Sequence, residues 1–504
     1  MNRFYPGLYC LLALVGAACS TKQSNNADVV RIRWERSPAS FDPLEVPDEQ
    51  ALETLNLVHA SLLSMDYASR QWVPYLVESL PQMRKQAAVT LATYQLRPQA
   101  RWDTGQPVTA RDVAFTLRLM QCPGLPNEQA RADYGFIEDI RLDSADARKF
   151  TLVLRGRAPE YKWSSGDFPI LPEYALDTRG ELRVVSLASL RADTGAVHQP
   201  AVAALIRRYK AAQLGATPKH LPGCGPYTVS SMATNRYVIF QRKPHWWADT
   251  LHSTSSPLRA LPRQLDYQII PDAAGALLAL RSGAIDVYPM PPAAEFARLQ
   301  AQPAAGLQLS TADSYSMLTT CFNVRQPVLR DKYTRQGLSL LFQVPGLIKA
   351  TQHGMGYPSA GIVNPTAGKF YNDSLAPLPY APERAVALLN KAGWRRSPTG
   401  GWSQRRPSGQ LLPLALSISY RTGEPAYEAI ALQFRQAAAQ IGIPITLRPT
   451  ETSLFQQNLR SDQIDAYLYR LTGNPHIYNF APSCTRAALT WATSPGSVRR
   501  PVTG

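Results

Sequence analysis

Punctuation constrains this chain more than composition does. Asp272 precedes Ala273 to Ser282 and Gly283 follows; Pro382 opens Glu383 to Ala392 and Gly393 closes it; Pro425 leads Ala426 to Gln440 and Gly442 ends it. Helix starts need a capping acceptor or a pre-set proline, and helix stops favour a glycine that can turn left-handed. Between these segments run strand-like stretches, Val238 to Arg242, Leu265 to Ile270 and Leu414 to Tyr420. Upstream, Val29 to Trp34 reads as a strand and residues 37–43 as the loop leaving it. Ala51 to Leu63 reads as an amphipathic helix with Leu52, Leu55, Val58 and Leu62 on one face, and Val89 to Leu96 as a strand. Thr109 with Asp112 approximates a capping box opening a helix through Met120. Helices alternating with strands predict α/β lobes rather than an all-helical or all-β body.

The N-terminus predicts export. Arg3 precedes a short apolar run ending Ala17-Ala18-Cys19, and a polar stretch follows. This pattern assigns residues 1–19 to a lipoprotein signal peptide, Cys19 to lipid attachment and residues 20–27 to a flexible tether. Gly16 departs from the leucine usual there, so a cleaved signal with an incidental cysteine is the alternative. No later segment is apolar enough to span a bilayer, which leaves the lipid as the expected anchor of an extracytoplasmic protein, periplasmic or at the cell surface. With 504 residues and 45% hydrophobic content, two or three lobes can each bury a core. The formal charge of +16 is scattered, and in an exported chain without nucleic-acid motifs it reads as an arginine-rich surface, with no nucleic-acid partner.

Chemistry-bearing motifs are missing where catalysis or metal binding would need them. Cys122, Cys224, Cys321 and Cys484 form no C-x-x-C pair and are expected as isolated buried thiols, although four cysteines allow three disulfide pairings. The seven histidines are dispersed, none at i and i+4, so no metal site is assigned. There is no G-x-S-x-G elbow, H-E-x-x-H pair or phosphate loop, so neither an enzyme nor a cofactor is expected.

Read in order, several stretches resemble the extracytoplasmic solute-binding proteins of peptide and nickel ABC transporters, family 5. They are Phe41-Asp42-Pro43, Ser61 to Asp66, Val73 to Ser79, Trp102 to Val113, Gly223-Cys224-Gly225-Pro226-Tyr227, Gln241 to Trp247, Leu280 to Val287, Phe322-Asn323-Val324 with Asp331 and Arg335, Ala385 to Trp394, and Ile441-Gly442-Ile443. Taken residue by residue, Trp246 and Trp247 suit a core, Asp331 and Arg335 are spaced to pair on a helix, and Asn323 suits either a cap or a cleft wall. The resemblance implies a two-lobed, type II periplasmic-binding-protein-like fold, a venus flytrap, with an extra subdomain in the first lobe. Lobe 1 would be residues 28–263, its subdomain about 59–168, and lobe 2 residues 264–480.

The function so implied is capture of a peptide-like or other small solute between the lobes and delivery to an ABC permease in the membrane, by a monomer. The implied ligand contacts are Ser40, Phe41, Asn323, Tyr420, Tyr469, Arg470 and Asn474. A non-transport surface lipoprotein using the same fold as a sensory or interaction module is the competing reading. Peptide-binding members place an aspartate in a G-W-x-x-D-Y-x-x-P stretch to pair with the peptide ammonium. Here the matching places hold Asn474 or Leu471, neither acidic, so peptide specificity is not expected from that residue. Residues 481–504 carry three arginines, no acid and no period, and read as a truncated or frame-shifted end, with a natural short tail as the alternative.

Overall fold

A computed structural model describes residues 28–472, apart from 47, 193–194, 304, 315, 362, 364, 366–370, 398–399 and 462. The expected signal peptide and tether, Cys19, Asn474, Cys484 and the tail 481–504 lie outside the described residues. The chain divides into two units, each gathered from separated stretches.

The first unit takes the chain up to Ala60, Gln99–Gln106 and Gln213–Pro289. Its sheet runs in the order Val29–Trp34, Gln264–Ile269, Tyr237–Arg242, Tyr227–Ala233; the first pair is parallel and the others antiparallel. Val29 pairs with Gln264 and Trp34 with Ile269. The strand Gln264–Ile269, where the sequence reading begins the second lobe, is therefore central to this sheet. Trp34 stacks on Tyr267 at 4.0 Å and Phe240 meets Tyr267 edge-on at 5.5 Å. Helix Glu49–Val58 is tied to this aromatic group by Glu53, which accepts from Trp34 Nε1 at 2.8 Å and from the Tyr267 hydroxyl at 2.6 Å.

That helix is shorter than its apolar spacing predicts. Asp48 caps its start, accepting from the Ala51 N–H at 2.8 Å, but it ends at Val58, Leu52 is 47% exposed, and Leu62 is buried beyond the helix. The cause is remote in sequence: the Gly225 N–H takes the Val58 carbonyl at 2.9 Å. Gly225 lies so close that a Cβ there would stand 2.6 Å from the Leu57 carbonyl oxygen.

The second unit holds Ser61–Pro98, Pro107–Ala212 and the chain from Met290. An antiparallel sheet is ordered Gln82–Gln86, Val89–Gln95, Lys149–Arg155, Ile137–Leu142. Helix Ala110–Gln121 begins as expected, with the Thr109 N–H bonded to the Asp112 carboxylate at 2.8 Å. A further sheet is ordered Ser316–Phe322, Ala466–Thr472, Leu416–Arg421, Ile445–Thr450, the last three strands parallel and the first antiparallel to its neighbour. Helices Pro382–Lys391 and Pro425–Gln440 start on their prolines, and Gly393 and Gly442 follow at φ of 91° and 79°. Trp394, Trp402, Tyr427, Phe434 and Ile418 make this core, with Phe342 stacked on Phe434 at 4.4 Å.

Cys122 and Cys224 are buried and Cys321 is half-buried, and none of the three forms a disulfide among the described residues. Among the described residues no helix is long and apolar enough to cross a membrane.

Candidate functional site

Three of the resembling stretches brace one another. The Trp102-to-Val113 stretch and the Gly223-to-Tyr227 stretch meet at Asp103, whose N–H donates to the Gly223 carbonyl at 3.1 Å and whose carboxylate accepts from the Gly223 N–H at 2.9 Å. Lys243 forms an ion pair with the same carboxylate and donates to the Gly223 carbonyl at 3.2 Å. Trp246 and Trp247 are buried, and both indole N–H groups donate to the Cys224 carbonyl, at 3.1 and 2.8 Å. They are core residues.

The helix-spaced pair proves to be a cap beside a separate brace. Asp331 accepts from the Tyr333 and Thr334 N–H groups at 2.8 and 3.1 Å and so starts helix Lys332–Ser339. Arg335 donates to the Leu329 and Arg330 carbonyls at 2.7 and 2.8 Å, because their free carbonyls lie nearer its fork than the carboxylate already spent on the cap.

In the first unit, Ser40 is buried and its Oγ accepts from the Asp42 N–H at 3.1 Å, a turn that shapes the loop after the first strand. The Phe41 N–H donates to the Gly215 carbonyl at 3.1 Å. Phe41 lines a small pocket with Leu55, Leu214 and Leu221, into which Thr54 and His59 also face. Thr54 Oγ1 and His59 Nδ1 are buried there without a hydrogen-bond partner among the described residues. Burial, with Lys243 adding to it, lowers the His59 pKa to about 3, so the imidazole is neutral at physiological pH.

In the second unit the predicted residues separate. Ser316 pairs with Thr472 and Phe322 with Ala466, so Asn323 lies at the opposite end of the sheet from Arg470, about 17 Å along the strands at the usual rise. Its side chain is consumed locally: Nδ2 donates to the Ile464 carbonyl at 2.9 Å and Oδ1 accepts from the Arg325 N–H at 3.0 Å. Tyr420 is buried in the core, and burial raises its hydroxyl pKa, with Glu428 second. Tyr469 is half-buried and meets Tyr467 edge-on at 6.4 Å. Arg470 is exposed, 3.9 Å from Glu424, which stands 4.0 Å from Arg421.

Arg421, Glu424 and Arg470 thus gather toward the carboxyl ends of the parallel strands Leu416–Arg421 and Ala466–Thr472, the usual ligand edge of an open α/β sheet, while Tyr469 is the middle residue of its strand. Sequence reading named Tyr469 and Arg470 and missed Arg421 and Glu424. The signal for the missed pair was the turn Thr422-Gly423-Glu424-Pro425 between a strand and a proline-led helix. Among the described residues no group of three or more His, Cys, Asp or Glu is placed to hold a metal ion.

A sequence model of the bacterial extracellular solute-binding proteins, family 5 middle region, matches residues 71–485. A binding protein of Brucella melitensis is 22% identical over 421 residues, 76% of this chain and 61% of that protein. The chain therefore spans about three-fifths of the length of the first curated relatives it matches. Among solved structures, NikZ from Campylobacter jejuni in complex with Ni(L-His) is similar at a TM-score of 0.68 and 17% identity, over 92% of this chain and 82% of that one. An oligopeptide binding protein from Thermus thermophilus complexed with a pentapeptide is similar at 0.66 and 18%, over 89% and 78%. These likenesses establish the fold expected from sequence, the two-lobed α/β fold of periplasmic binding proteins.

Proposed function

Because this chain belongs to the bacterial extracellular solute-binding proteins of family 5, we propose that it captures a small solute outside the cytoplasm and delivers it to an ABC permease. The family match over residues 71–485 carries this reading. The likeness to proteins complexed with a pentapeptide and with Ni(L-His) supports a solute of peptide-like size and polarity. No bond is made or broken in the process, and the protein works as a monomer.

The chain is anchored by lipid at Cys19, supported by the small residues before it and the polar stretch after it. On this reading Cys19→Ser releases the protein from the membrane fraction, and retention of the variant there with unaltered processing overturns the anchor. The capture reading is tested by mass spectrometry of small molecules released on denaturing freshly purified protein. A stoichiometric small solute is expected; protein that yields none, and that no peptide pool stabilises, counts against capture.

A further inference from the structure

From Arg384 to Gly423 the chain carries seven basic residues and not one acid. The middle of this stretch folds as a small antiparallel sheet in the second unit, ordered Arg395–Arg396, Trp402–Arg405, Leu411–Pro413. Residues paired across an antiparallel ladder share a face, and the face alternates along each strand. The register sets Arg395, Ser403 and Pro413 in one row and Arg405 opposite Leu411, all on the same face. The other face holds the buried Trp402 and Gln404, whose Nε2 donates to the Ala392 carbonyl at 2.8 Å, so that face packs on the body of the unit. The first face is the outward one: Arg395, Arg405 and Pro413 are exposed, and Leu411 is 56% exposed.

Two exposed lysines adjoin it. Arg395 donates to the Asn390 and Trp394 carbonyls at 3.0 and 2.9 Å, which holds it at the end of helix Pro382–Lys391, beside Lys391. Lys391 Nζ stands 4.3 Å from the Tyr333 ring centroid and Lys332 Nζ stands 5.1 Å from it. Of the acids close in sequence, Asp331 caps the helix that Lys332 begins, and Glu383 lies at the far end of its own helix, about 12 Å from Lys391 at the usual rise. Among the described residues Lys332, Lys391, Arg395 and Arg405 form no ion pair. Four unpaired cations thus surround an exposed leucine and proline.

We infer that this outward face docks on a membrane surface of anionic lipid, its cations meeting headgroup phosphates while Leu411 and Pro413 enter the interface. Guanidinium forks match phosphate in two-point geometry, and cations around an exposed apolar centre are the makeup of an interfacial surface. A protein partner is held in register by opposed charges of both signs, whereas cations alone suit a fluid array of phosphates. The inference goes beyond solute capture and depends neither on the solute nor on the lipid at Cys19.

The test is sedimentation of the full-length Cys19→Ser protein with vesicles of phosphatidylcholine alone and of phosphatidylcholine mixed equally with phosphatidylglycerol. Binding to the mixed vesicles only, weakening as salt rises, is expected. Arg395→Gln and Arg405→Gln should each weaken it about fivefold, and Leu411→Ser should weaken it several-fold even at high salt. Arg236→Gln with Arg281→Gln, both exposed in the first unit, should leave it at the parental level, which separates this face from the net charge of +16. Thermal melts verify that each variant keeps the fold; Arg405→Gln carries the test should Arg395→Gln disturb the helix end. Equal weakening by the control pair overturns the assignment to this face. No binding to the mixed vesicles overturns docking on lipid, and so does tighter binding to polyglutamate that Leu411→Ser leaves unmoved, which would give the face to an acidic protein.

Discussion

His59 shows how a single residue can report on the interior of the first unit. Its folded pKa, about 3, lies below the usual 6.5, so the unfolded chain binds more protons than the folded one between those values. Stability is therefore greatest above pH 6.5 and falls as pH drops through the window toward 3, at up to about 1.4 kcal/mol per pH unit from this one group. Thermal unfolding followed from pH 7 to pH 4 should steepen accordingly, and His59→Leu, which cannot take up a proton, should flatten the curve. Parallel curves for parent and variant would place the imidazole in contact with water. Asp331 offers a second reading of single-residue energetics. As a helix cap, Asp331→Ala should cost about 1 kcal/mol in chemical denaturation and Asp331→Asn only a few tenths, because either side chain can accept from the Tyr333 and Thr334 N–H groups. Equal losses from both would restore an ionic role opposite Arg335.

Elements obeyed local chemistry where local chemistry decides them. Gly225→Ala should destabilise the first unit by about 1–3 kcal/mol, since its Cβ would press on the Leu57 carbonyl and the His59 N–H, backbone groups that cannot swing aside. A loss under about 0.5 kcal/mol by denaturant titration would mean that the helix end moves freely. The same contact explains a limit of sequence reading. The helices at 273, 382 and 425 are legible because Asp272, Pro382 and Pro425 act on their own neighbours, and the glycines after them do too. The end of helix Glu49–Val58 is not, because a residue far along the chain sets it. Site residues divide likewise. Tyr469 and Arg470 lie in a strand whose direction follows from its βαβ neighbours, whereas Asn323 follows a strand that runs the other way, a fact held only in its pairing with Ala466–Thr472. Of the stretches shared with the family, those holding Asp103, Gly223, Lys243 and Trp246 serve as scaffold, bonded within one braced group, in keeping with the core role the sequence suggests for Trp246 and Trp247.

For the molecule as a whole, capture has a thermodynamic signature independent of any assigned contact. A solute bound only by the folded state stabilises it by about 2.7 kcal/mol at a hundred times its Kd, and the melting temperature climbs with the logarithm of its concentration. A cognate solute should show that climb in differential scanning fluorimetry, while a flat response across a pool of candidates excludes them. The first sheet also dictates a timetable. Arg33, in the first strand, donates to the Ile270 carbonyl across 237 residues of chain, and the strand's full-length partner, Gln264–Ile269, is equally remote. At ribosomal speeds of roughly 5–20 residues per second, that partner is synthesised on the order of ten seconds or more after the strand it must join. The opening strand is thus obliged to wait unpaired until about half of the chain has been made, and the sheet holding Ser316–Phe322 and Ala466–Thr472 can close only after that. A chain built this way leaves its first sheet open, with an unpaired strand edge, through roughly the first half of its synthesis.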